Sequence, residues 1–166
     1  MDKDKFINKM IIPDELLIDL LKKSVAECYN KDKHLIEKSM EQASVARIFY
    51  YMQNLINNDE CFACLIEYNL DCEYNKNGQH IKATPHCKNG TRPDMILHKR
   101  GTNNHNLLIV EFKSEKGLKR KVHNDLIKLE DFTSPYIYNY HLGVFVKLFR
   151  EKPEYVFFKK GKQILI

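Results

Sequence analysis

The chain has 166 residues, 43% of them apolar, which fits one domain with a single core that packs without disulfides. Lys and Arg number 27 against 22 Asp and Glu, a net charge of +5 that permits a polyanion partner without demanding one. No apolar run approaches the roughly 18–20 residues a membrane helix needs, which argues against a membrane-spanning protein.

The five cysteines form an odd set, and the N-terminus (MDKDKF) lacks the pattern of a secretory signal, so a reducing cytoplasm is the expected setting. Cys61-Phe62-Ala63-Cys64 has zinc-ligand spacing, with Cys72, His86 and Cys87 available to complete a set. The second pair is split and lacks a knuckle pattern, so buried reduced cysteines are the expectation. No His-Glu-x-x-His, Gly-x-Gly-x-x-Gly or phosphate-cradling Gly-Lys-Ser/Thr occurs, which argues against those metal and nucleotide sites.

In chain order, Pro13-Asp14-Glu15 opens a helix carrying Leu16, Leu17, Leu20, Leu21 and Val25, ended at Asn30 to Asp32. A longer helix is predicted from about Leu35 to Asn57, where Ile36, Met40, Ala43, Ile48, Met52, Leu55 and Ile56 recur at helical spacing. Leu65 to Tyr74 reads as a strand, and 76–91 as a loop or irregular strand. Asp94 to Lys99 is a short apolar run with polar ends. Asn106 to Phe112 is continuously apolar, as in a central strand buried on both faces. Lys119 to Phe132 reads as a helix stopped by Ser134-Pro135, and Tyr140 to Phe149 as a strand. Glu154 to Lys159 and Gln163 to Ile166 form a closing hairpin turned at Lys160-Gly161. The class is α/β, a mixed central sheet flanked by helices.

Arg100 to His105 is turn-like. If Arg100 faces His105 across it, Asp94 falls opposite Glu111, while alternation puts Glu111 and Lys113 on one face. Two acids and a lysine then meet at one spot, where a bound divalent cation would relieve the repulsion between carboxylates. A solvated salt bridge at the strand end is the alternative, and the triplet alone leaves both open.

Arg92-Pro93-Asp94, sixteen intervening residues and Glu111-Phe112-Lys113 resemble the signature of the PD-(D/E)XK, or restriction-endonuclease-like, nuclease superfamily. The resemblance covers about residues 35–148 and implies an α-β-β-β-α-β core, with 1–33 a helical extension, 34–150 the core and 151–166 an added hairpin of one domain. It implies a Mg²⁺-dependent nuclease, with Mn²⁺ as substitute, that hydrolyses DNA through metal-activated water. Asp94, Glu111 and the Phe112 carbonyl would hold the metal, and Lys113 would activate water or stabilise charge. An acid on the helix before the first core strand often contributes; Glu41 is the choice and Glu37 its competitor, with an exposed helix glutamate as the alternative for each. Arg47 either braces that acid or faces solvent. Lys128, in the helix after the motif, is a further catalytic candidate, or else a surface lysine. Lys116, Lys119, Arg120 and Lys121 are candidate phosphate contacts, or else a solvated basic loop. Tyr136, Tyr138 and Tyr140 offer aromatic surface near by in sequence or half-buried packing. The alternatives carried forward are a catalytically silent nuclease fold serving binding or assembly, and a nuclease for RNA or branched DNA. A homodimer is an arrangement many such nucleases use.

Overall fold

The computed structural model describes residues 12–166. The opening MDKDKF segment, and the rest of residues 1–11 within the predicted N-terminal extension, lie outside the described residues.

Helix α1 (Asp14–Lys31) starts after Pro13, with Asp14 and Glu15 in its first turn and Lys31 in its last. This polarity complements the helix dipole. A short α2 (Lys33–Glu37) precedes α3 (Glu41–Asn58). After a 3₁₀ turn over Glu60–Leu65 come β1 (Asn69–Cys72), the two-residue strands β2 (Lys76–Asn77) and β3 (His80–Ile81), β4 (Met95–His98) and β5 (Asn106–Ser114). Then follow α4 (Lys119–Thr133), β6 (Leu142–Leu148), β7 (Pro153–Lys159) and β8 (Lys162–Ile164).

Six strands form one mixed sheet in the order β1-β4-β5-β6-β7-β8, and β2 pairs with β3 apart from it. Among the described strands only β5 and β6 run parallel, with α4 as their crossover. The C-terminal hairpin thus widens the main sheet; its turn places both Lys160 and Gly161 at positive φ, as a tight hairpin turn requires.

Alternation along the strands divides the core. Met95, Leu97, Leu108, Val110 and Phe112 pack with α1 and α3, whereas Ile96, Ile109 and Phe145 pack with Leu129 and Phe132 of α4. The sheet is therefore a middle layer between helices, which is why β5 reads as an unbroken apolar run. Among the described residues no helix is long and apolar enough to cross a membrane.

Three expectations need correction. The predicted helix over 35–57 is broken: Ser39 takes φ 56°, ending α2, and Glu41 begins α3. Apolar spacing runs through Met40, so periodicity could not register a single left-handed residue. The predicted strand over 65–74 shrinks to Asn69–Cys72 because its first part completes the 3₁₀ turn. Of the cysteines only Cys28 is buried; Cys61 and Cys72 are exposed and Cys64 and Cys87 half-buried. His86 instead pairs with Asp131 at 2.9 Å.

Candidate active site

The predicted register holds where it matters. Met95 faces Val110, Ile96 faces Ile109 and Leu97 faces Leu108, so one further step sets Asp94 beside Glu111. Nearer the turn a bulge between Leu97 and His98 shifts the pairing, and Lys99, not Arg100, bonds to His105. Arg100 turns away to the carboxylate of Asp71. His98 shares the Asp94 face but sits at the other end of β4, buried, with Nε2 2.9 Å from Asp71 Oδ2. It belongs to that second cluster.

Because Val110 and Phe112 face α3, Glu111 and Lys113 project toward α4. There they meet a helix face carrying Asp125 and Lys128, three residues apart and hence neighbours. Lys128 Nζ lies 2.9 Å from Glu111 Oε2 and 3.2 Å from Asp125 Oδ1. Lys113 Nζ lies 3.2 Å from Asp125 Oδ2 and 3.2 Å from Glu41 Oε1. Glu41 Oε2 also accepts the Ser114 N–H at 2.7 Å, which ties the start of α3 to the end of β5. Asp94 Oδ2 accepts the Phe112 N–H at 2.7 Å. Four carboxylates and two ammonium groups thus alternate in one cluster: Glu111, Lys128, Asp125, Lys113 and Glu41 in series, with Asp94 alongside.

The cluster is deep. The Glu111 side chain is 1% exposed, and those of Asp125, Lys113 and Lys128 no more than 14%. Burial first, and the neighbouring Asp94 charge second, push the Glu111 carboxyl well above the usual carboxylate range. Burial also raises Asp94, against the Phe112 N–H bond and the two lysines, which favour its charged form. Burial alone would lower both ammoniums, but the surrounding acids outweigh it and hold Lys113 and Lys128 above the ordinary lysine value. Glu111 Oε1 is buried with no hydrogen-bond partner among the described residues. Such an orphan acceptor is costly unless something positive meets it.

Among the described residues, no three acids, histidines or cysteines stand together closely enough to hold a metal ion as they are. The lysines occupy the space between the acids. The donor set nevertheless fits a hard divalent cation: oxygen ligands only, two carboxyls disfavoured as neighbouring anions, and one buried oxygen unmatched.

Of the predicted residues, Glu41, Asp94, Glu111, Lys113 and Lys128 come together. Phe112 contributes main chain there, while its ring is buried in the opposite core. Glu37 does not join; its nearest cations are Arg150 and Lys33. Arg47 is engaged by Asp32 and Tyr51. Lys116, Lys119, Arg120 and Lys121 are exposed on the loop and first helical turn just beyond Lys113. That turn of α4 holds no acid and no side-chain cap, so its cations oppose the helix dipole. Tyr138 and Tyr140 are buried and only Tyr136 is exposed. Asp125 was not anticipated as a site residue, although its three-residue spacing from Lys128 was a readable signal.

Gly117 is what lets Lys113 pass. A methyl group there would collide with Lys113 Cγ, 2.7 Å from Cδ and 3.0 Å from the Ser114 carbonyl oxygen. Gly117→Ala is therefore expected to displace the Lys113 stem and slow any Lys113-dependent reaction about 10–100-fold. The same change made in a Lys113→Ala background should cost little more, and a full additive loss there would refute this account.

No family model matches the chain, and no curated protein matches it in sequence.

Proposed function

We propose that this protein is a divalent-cation-dependent nuclease with a restriction-endonuclease-like core, hydrolysing phosphodiester bonds of DNA. The observation that carries the reading is the meeting of Asp94, Glu111 and Lys113 with Glu41 and Lys128 in one buried cluster. These residues are far apart in sequence, and ordinary solvated salt bridges would not be collected beneath a helix. Further support comes from element order. From α3 the core runs helix, three sheet strands, helix, strand, with the motif acids on the middle antiparallel pair.

In this reading Asp94 and Glu111 hold Mg²⁺ or Mn²⁺, with the Phe112 carbonyl as a further oxygen donor. The bound cation supplies Lewis acidity toward a phosphoryl oxygen and a more acidic water. Lys113, held by Glu41 and Asp125, would orient the attacking water or balance charge on the phosphate as its phosphorus becomes five-coordinate. Glu41 positions Lys113 through one oxygen and fixes the β5 terminus through the other. Lys116, Lys119, Arg120 and Lys121 hold the phosphate backbone beside the site.

The test is incubation of the purified chain with supercoiled plasmid, linear duplex, single-stranded DNA and RNA, each with Mg²⁺, Mn²⁺ or chelator. Cation-dependent nicking of plasmid is the expected result. Cleavage confined to RNA would redirect the substrate. No cleavage of any substrate with either cation would favour a silent binding or assembly module.

A further inference from the structure

The Lys128 ammonium sits where a cation is wanted. It lies between Glu111 Oε2 at 2.9 Å and Asp125 Oδ1 at 3.2 Å, with all three side chains largely shut from solvent. One ammonium brings a single positive charge and three donors. Around it are the carboxylates of Glu111 and Asp125, with Asp94 on the same sheet face. The match is incomplete. Among the described residues Glu111 Oε1 is buried without a hydrogen-bond partner, and Asp125 Oδ2 has only the Lys113 ion pair at 3.2 Å. A divalent ion brings twice the charge and takes about six oxygen ligands, commonly one or two carboxylates with waters and phosphate oxygens. Lysine carries its charge on a flexible four-carbon stem, so it can give up such a position without moving the backbone.

We propose that the Lys128 ammonium holds the place of a divalent cation, and that Asp125 joins Glu111 as a ligand of that cation when Lys128 withdraws. The inference rests on the cation-dependent reading above and adds to it both a ligand on α4 and a built-in competitor. The site is thereby closed in the absence of metal. Lys128 opposes cation binding by its position as well as by its charge.

Calorimetry with Mn²⁺ on the full chain tests this. Lys128→Gln keeps a donor for Glu111 but removes the charge, and it should tighten Mn²⁺ binding at least about tenfold. Lys162→Gln removes an exposed charge on β8 that pairs with none of the site's acids, and should change affinity far less. Asp125→Asn should weaken binding and cancel the gain when combined with Lys128→Gln. In the unaltered protein, Mg²⁺ should shift the Lys128 ammonium resonance, a readout that needs no variant to fold. Wild-type affinity in Lys128→Gln, an equal gain in Lys162→Gln, an unaffected Asp125→Asn or a static Lys128 resonance would each overturn the inference while leaving the cation site standing. Absence of Mn²⁺ binding in every protein, wild type included, would overturn both.

Discussion

Replacing Asp94 or Glu111 by alanine is expected to remove at least about 10³-fold of the cleavage rate, since metal-borne charge stabilisation is worth several kcal/mol. The fold should survive. Glu111 is a buried acid beside Asp94, and both carboxyls are pushed upward by burial, so deleting either removes a strained neighbour from the other. Lys128 keeps Asp125 at 3.2 Å when Glu111 is lost, so no unpaired ammonium is left behind. Asp94→Ala frees the Phe112 N–H, a cost of about 1–3 kcal/mol for one buried donor. Plasmid nicking and thermal melting on the same preparations separate the two effects. A folded variant that nicks at the wild-type rate would end the nuclease reading.

Lys82→Met is expected to stabilise the protein by about 1–3 kcal/mol at pH 7, a gain that shrinks toward pH 10. Lys82 is 2% exposed and pairs with no carboxylate among the described residues; its ammonium has the Tyr140 hydroxyl at 3.3 Å. The rings of Tyr74, Tyr138 and Tyr140 surround it at 5.0, 5.8 and 5.7 Å, a cation–π environment that offsets part of the cost. Burial pulls the Lys82 pKa down to about 8, against some support from Asp71. The unfolded chain holds its proton to about 10.5. Below pH 8 both states are charged, and the folded state bears the full desolvation cost. Between about pH 8 and 10.5 the folded lysine is increasingly neutral and that cost fades, so the Lys82 contribution to stability becomes less unfavourable across this window. Denaturant unfolding of both proteins at pH 7 and pH 10 should show the variant's advantage shrink at the higher pH. An equal advantage at both values would refute it.

Lys82 also shows what the 76–91 segment contributes. Polar and Gly/Pro-containing in sequence, it nevertheless buries Lys82 and Thr84, and both the N–H and the carbonyl of Ala83 bond the Tyr138 hydroxyl, at 3.0 and 2.9 Å. His86 then meets Asp131 on α4. Tyr138 and Tyr140, read as packing or aromatic surface, are the partners that hold this segment down.

Local chemistry was readable from sequence alone. The apolar run Leu107 to Val110 marks β5, because a strand covered on both faces alternates little, and it makes Glu111 stand out as the acid within it. The Asp94–Glu111 register followed from an assumed Arg100–His105 turn pairing; the turn pairs Lys99 with His105 instead, and the bulge between Leu97 and His98 absorbs that difference, so the pairing holds from Leu97–Leu108 inward. The choice of Glu41 over Glu37 was legible only as an option. What decided it is the left-handed Ser39, which splits one apparent helix and sets Glu41 at the start of α3, against Ser114 and Lys113. Asp125, the Lys128–Glu111 pair and the Tyr-lined Lys82 depend on α4 and the 76–91 segment packing over the sheet. Periodicity is set by backbone geometry within a few residues and can be read along the chain. Which charges share one buried volume is set by contacts between distant segments, and only the folded arrangement decides that.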